Sequence, residues 1–191
     1  MIEYIIYESN TGHTKRYAEM LSEEVGIPAM PLMEAIRSLP PRTEIFFLGW
    51  ICGGKISGLP FAQQRFSIAA IAAVGIVFPS VEVVDKLIAQ NALDDGPTTL
   101  EGPFFYLQGG VEPQKLGWMK RKVLKMIAGN IQKKTPESKE EWELVDALTI
   151  GADYVAKENL QPLISWIKDE MENTSAAEEP VIEETDESDA E

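Results

Sequence analysis

Ser9-Asn10-Thr11-Gly12-His13-Thr14 lies between an apolar run, Ile2 to Tyr7, and a segment, His13 to Val25, in which Thr14, Tyr17, Ala18, Leu21 and Val25 recur at helical spacing. A hydroxyl-rich loop with a glycine at its turn, opening directly into a helix, leaves several backbone N–H groups unpaired at the positive end of the helix dipole. Such a loop binds an anion without a metal, and a phosphate ester is the ligand it suits. Lys15 and Arg16, just inside the helix, add positive charge for a dianion.

The flanking segments decide the fold class. Ile2-Glu3-Tyr4-Ile5-Ile6-Tyr7 is β-branched and aromatic, the composition of an interior parallel strand. Gly26 is a helix stop, and the proline-spaced stretch Ile27 to Leu32 suits an edge strand. A short helix follows at Glu34 to Leu39, then a second strong strand at Thr43 to Gly49, which opens into a glycine-rich loop from Trp50 to Gly58. Beyond it the pattern predicts a helix from Leu59 to Ser67, a strand over Ala73 to Phe78 and a helix from Val81 to Leu93. A strand at Pro103 to Leu107 precedes two long helices, Leu116 to Lys133 and Glu140 to Met171, the latter open to a break near Pro162. Strands alternate with helices, so the class is α/β with a mainly parallel sheet. In such sheets ligands bind beyond the carboxyl ends of the strands.

Composition narrows the function. The 191 residues, 45% hydrophobic and 25% charged, are those of one soluble domain. The net charge of −14 is uneven: nine of the 31 acidic residues fall in 172–191, leaving roughly −5 for the rest. Residues 1–171 therefore read as the folded body and 172–191 as a disordered acidic tail. The same sign disfavours nonspecific nucleic-acid binding. Cys52 is the only cysteine, which excludes an internal disulfide and suits a reducing, cytoplasmic setting. No secretory signal pattern precedes Ile2, and the longest apolar run, Ile68 to Phe78, is too short to span a bilayer. His13 is the only histidine, which rules out clustered-histidine metal sites and histidine triads. At a permissive loop position it is expected to be exposed.

At this point the chain resembles the flavodoxin family, whose phosphate loop reads [ST]-x-T-G-x-T after the first strand. Ser9, Thr11, Gly12 and Thr14 fill that pattern, with Asn10 and His13 at the free positions. The resemblance implies a three-layer sandwich around a five-stranded parallel sheet of order 2-1-3-4-5. It also implies FMN as cofactor, its phosphate held by residues 9 to 14 and its ring flanked by Trp50, Ile51, Cys52, Gly53 and Gly54. Trp50 is the candidate stacking aromatic. Phe78, Pro79 and Ser80 stand where the family's loop after the fourth strand usually carries glycine, acid and tyrosine. The long segment from Gly109 to Lys134 is similar in layout to the protoporphyrinogen-dehydrogenase branch, which passes electrons to menaquinone.

Three functions follow: an electron carrier serving a partner reductase, a flavin-dependent tetrapyrrole dehydrogenase with a quinone acceptor, or a flavin-less accessory subunit. In the first two the flavin carries the chemistry, so no catalytic side chain is expected. Gly49 to Lys55 also matches the start of a nucleotide P-loop, but Ile56 stands where Ser or Thr must hold magnesium. Lys55 is either a cation near the flavin ring or a solvated lysine. Cys52 reads as a small loop residue, and Ser9, lacking a base, as a ligand. Lys115, Lys120, Arg121, Lys122 and Lys125 concentrate positive charge beside an apolar stripe of Leu116, Met119, Val123, Met126 or Ile127, and Ile131. Either this helix packs on the sheet, or it docks an anionic membrane, an acidic protein or a tetrapyrrole's carboxylates.

Overall fold

The computed structural model describes residues 1–93, 100, 102–134 and 138–178. Five parallel strands form the central sheet: β1 (Tyr4–Glu8), β2 (Ala29–Pro31), β3 (Glu44–Cys52), β5 (Ser67–Gly75) and β6 (Phe104–Gln108), in the order β2-β1-β3-β5-β6. Counting only these, the order is the expected 2-1-3-4-5. A short β4 (Lys55–Ile56) folds back antiparallel on the end of β3, and β7 (Gly110–Val111) pairs with β8 (Ala152–Asp153) in a separate ribbon.

Alternation along the interior strands divides their side chains between two cores, as a sheet covered on both faces requires. Ile5, Phe46, Leu48, Ala70, Ala72 and Val74 face helices α1 (His13–Val25) and α7 (Gln161–Glu178). Ile6, Ile45, Phe47, Ile71 and Ala73 face α2 (Leu32–Ser38), α3 (Leu59–Arg65) and α4 (Val81–Gln90). On the α1 face, Tyr17, Ala18 and Leu21 are fully buried, which is the helical stripe read from the sequence. Gly26 caps α1, and the proline-bearing strand β2 lies at the sheet edge, where a missing N–H is tolerated.

Several element boundaries differ from the sequence reading. The fourth parallel strand spans Ser67–Gly75, not Ala73 to Phe78, because it pairs with β3 from Glu44↔Ser67 to Trp50↔Val74, with a shift of register between Ile45 and Phe46 that leaves Ala69 without a partner position. Alanine has little intrinsic strand preference, so the Val/Ile/Phe end drew the pattern forward. Beside these small side chains, Phe46, Phe105 and Trp166 form a ring cluster with centroids about 6 Å apart. The preceding helix accordingly ends at Arg65 instead of reaching Ser67.

The expected helix from Glu140 to Met171 is two, α6 (Lys139–Thr149) and α7. The break precedes Pro162, which sits in the first turn of α7, where proline costs nothing. Helix α7 continues through Glu178, so the first residues of the expected tail lie on it; 179–191 are outside the described residues. Among the described residues no helix is long and apolar enough to cross a membrane.

Candidate functional site

Register fixes the level of the strand ends. Glu8 pairs with Gly49, Trp50 with Val74 and Gly75 with Gln108, so the segments after β1, β3, β5 and β6 all emerge at the carboxyl edge of the sheet. Every sequence-predicted site residue lies in the first three of these segments or, for Trp50, Ile51 and Cys52, on the last residues of β3.

The loop after β1 has the form of an anion cradle. Gly12 is the residue before α1 and has φ of 101°, a left-handed conformation that a side chain disfavours. Gly12 has no side chain to cap α1, and the helix has no acidic residue in its first turn. The Lys15 amide reaches Ser9 Oγ at 3.3 Å and the Arg16 amide binds the Gly12 carbonyl at 3.0 Å. The amides of Thr11, Gly12, His13 and Thr14 have no acceptor among the described residues. Thr14 is buried beneath the loop.

His13 is not exposed, as the free loop position led us to expect, but 96% buried. Its ring turns inward against the insertion after β6: a Cβ placed on Gly110 would stand 2.5 Å from His13 Nε2. Thr11 Oγ1 and His13 Nδ1 are hydrogen-bonded at 3.0 Å, and His13 Nε2 is 3.8 Å from Asp153 Oδ1. Desolvation lowers the imidazole pKa, opposed by the charge of Asp153. For Asp153, burial raises the pKa, but the hydrogen bonds from Arg16 and the Val155 amide and the Arg16 charge outweigh it and hold the carboxyl below its ordinary value. The two cations inside α1 are thus already engaged, Arg16 with Asp153 at 2.5 Å and Lys15 with Glu19 at 3.5 Å.

The second segment is not a loop running from Trp50 to Gly58 but a tight hairpin. Strand β3 continues through Trp50, Ile51 and Cys52, turns at Gly53 and Gly54, and returns as β4. Both glycines have positive φ, 57° and 80°, as a two-residue hairpin turn with right-handed strand twist requires. Asn91, just after α4, clamps the hairpin by donating to the Gly54 carbonyl and accepting from the Ile56 amide, each at 3.0 Å. Lys55 donates to the Gln90 carbonyl. Cys52 is exposed and Trp50 half-buried at the open end.

In the third segment Ser80 caps α4, its Oγ accepting from the Val83 amide at 3.3 Å. Phe78 meets Tyr154 of the insertion, ring centroids 6.2 Å apart. Tyr106 donates to the Val77 carbonyl at 2.6 Å, and burial raises its phenol pKa.

Between β6 and α7 the insertion 109–160 covers this end of the sheet, and here the basic cluster separates by role. Helix α5 (Trp118–Lys133) does not pack on the sheet through Leu116, Met119, Val123 and Met126. It packs on α6 through Leu124, Ala128 and Ile131, leaving Met119, Val123 and Met126 exposed. Arg121 donates to the carbonyls of Pro113, Gln114 and Leu116, and Lys115 pairs with Glu112 at 2.9 Å. Lys120 turns to the site, its Nζ 3.5 Å from Asn10 Oδ1 and 5.7 Å from the centre of the Trp50 ring. Lys122 and Lys125 remain exposed. Sequence reasoning missed Asp153, Tyr154, Asn91 and Gln108, whose buried Nε2 has no partner among the described residues. The Gly109-Gly110 pair was the visible signal of a close approach to His13.

Residues 4–139 match a family described as a flavodoxin domain. Among curated proteins, none matches the chain.

Proposed function

We propose, from the premise that this chain belongs to the flavodoxin family, that it binds flavin mononucleotide at the carboxyl edge of its sheet and passes electrons to and from a partner protein. The observation that carries this reading is the start of α1, where four consecutive amides, Thr11 to Thr14, have no acceptor among the described residues. A phosphate monoester supplies the missing acceptors and the negative charge that the helix end favours. The buried, unpartnered Gln108 Nε2 adds a spare donor at the same sheet edge. The residues present therefore fit the nucleotide.

Ser9 to Thr14 would hold the phosphate, while Trp50 and the hairpin turn at Gly53-Gly54 would flank the ring, with Phe78 to Ser80 facing it from the next loop. Trp50 is half-buried and supplies a flat apolar surface. When bound, flavin mononucleotide supplies the redox chemistry, and the protein needs to contribute only position, exclusion of water and local charge. The lone cysteine suits a reducing compartment.

One observation favours the second reading, a tetrapyrrole dehydrogenase with a quinone acceptor: the insertion leaves Trp118, Met119 and Met126 more than half exposed near the site. In that reading α5 receives a large apolar substrate or a membrane surface. Turnover of a porphyrinogen with a menaquinone analogue, and no second protein, distinguishes it from the carrier.

Fluorescence titration of flavin mononucleotide tests the shared premise. The protein should quench the flavin, and Thr11→Glu, a charge placed at a half-buried loop position, should weaken binding by more than about tenfold through repulsion while leaving the circular dichroism spectrum intact. No quenching by the unmodified protein overturns the flavin assignment.

A further inference from the structure

We infer that Lys120, carried by the insertion that follows the last parallel strand, is the cation that makes this site prefer the phosphorylated flavin; this rests on the flavin reading above. Four observations point to it. Its Nζ reaches the phosphate loop at Asn10 Oδ1 and the ring wall at Trp50, although 110 residues separate it from Asn10. It has no carboxylate partner among the described residues, whereas Lys15 and Arg16 are each ion-paired. The start of α1 that it approaches has a glycine as its N-cap residue and no acidic residue in its first turn to balance the positive helix end. Finally, its backbone is held: the next residue, Arg121, grips three carbonyls of the preceding turn, and Ala128 is buried against α6.

The electrostatics make this arrangement informative. An ammonium over an indole face is attracted by the ring quadrupole but keeps its full charge. Trp50 thus parks the lysine beside the loop without neutralising it, and Asn10 offers only a neutral amide oxygen. Positive helix end and free ammonium together form an unbalanced positive patch in a chain of net charge −14. A phosphate dianion bound at residues 11 to 14 balances it, and a ligand lacking the phosphate does not.

The experiment compares FMN with riboflavin on the full-length protein and on Lys120→Met, which keeps the aliphatic stem and removes the charge. FMN affinity should fall roughly five- to tenfold, within the range of a partly exposed charge interaction. Riboflavin affinity should not change, and Lys120→Arg should restore FMN binding. Raising salt should weaken FMN binding more in the unmodified protein than in Lys120→Met. An equal loss for both flavins overturns the inference, since the lysine would then act through the ring wall; so does no loss for either. If the unmodified protein quenches neither flavin, the failure lies in the flavin reading, and this inference falls with it.

Discussion

The loop after β1 and the insertion meet at one end of the sheet but are held there by different means. Residues 9–14 join a strand buried at Ile5, Ile6 and Tyr7 to a helix whose Tyr17, Ala18 and Leu21 are at zero exposure, so the loop's geometry is set by its neighbours in sequence. The insertion adds no strand to the parallel sheet. Its own core is small, with Ala128, Val145 and Leu148 buried and Leu124, Ile131 and Leu144 packed beside them. The difference separates a platform from a cover, and it places the smallest of the three cores over the carboxyl edge of the sheet. Elements with little buried apolar surface open locally before the rest of a fold.

The strongest way to break this comparison is to put a charge into the smaller core. Ala128 is 1% exposed between α5 and α6. Ala128→Asp buries a carboxylate without a partner and should cost about 3 kcal/mol or more. Hydrogen exchange should show the amides of α5 and α6 losing protection while those of β1, β3 and β5 keep theirs. FMN affinity should fall as far as it does in Lys120→Met and no further. Loss of protection in the central strands would show that the insertion is part of the sheet's cooperative unit.

A smaller effect is expected where the two regions are bolted together. Tyr17, fully buried on α1, donates its hydroxyl to the Gln108 carbonyl at 2.6 Å, with the Tyr154 carbonyl at 3.3 Å, and accepts from Asn159 Nδ2 at 2.7 Å. One phenol thus joins the helix below the phosphate loop to both ends of the insertion. Tyr17→Phe keeps the ring and leaves the carbonyl of Gln108 and the amide of Asn159 short of a partner, a loss of about 1–3 kcal/mol. Urea titration should move the midpoint without changing the slope. A change below about 0.5 kcal/mol, the usual size for an uncoupled surface substitution, would mean that water replaces the phenol there and the junction is not a structural bolt.

These experiments also mark what was legible in the sequence. The helix His13–Val25 was read to the residue because its apolar stripe, its preceding turn and Gly26 agree with one another. The turn at Gly12 was legible for the same reason: its geometry depends on six adjacent residues. The β3–β4 hairpin left a signal, Gly53-Gly54 between residues that can pair, but a glycine-rich run reads equally as an open loop. Asn91, which fixes that hairpin, has no local signature at all. Lys120 was visible only as one of five basic residues. What separates it from Arg121 is contact across the fold: Lys120 reaches Asn10 and Trp50, far away in the chain, whereas Arg121 binds carbonyls of the segment just before it. His13 was misjudged because its burial depends on the ribbon of β7 and β8, whose paired residues, Gly110 with Asp153 and Val111 with Ala152, are distant in the chain.

The smallest expected effect concerns pH at that same ribbon. His13 is pushed toward its neutral form by desolvation, with Asp153 and Glu112 pulling the other way and Arg16 and Lys115 reinforcing the shift. Its folded pKa therefore lies below the ordinary value of 6.5. The unfolded chain binds the proton first as pH falls, so stability is unaffected well above 6.5 and declines as pH drops from there toward the folded pKa. Asp153, itself held below its ordinary 3.8, stays ionised through that window. Its charge therefore limits the decline and does not cause it. Measured by urea midpoints at pH 7.5 and 5.5, the unmodified protein should lose more stability than His13→Gln, in which the titrating group is gone while the other carboxylates remain. Adding Asp153→Asn to the unmodified His13 background should steepen the loss, because the imidazolium then lacks its nearest counter-charge. Equal losses in the unmodified protein and His13→Gln would show that the imidazole is solvated in solution, and that the ribbon does not close over the phosphate loop.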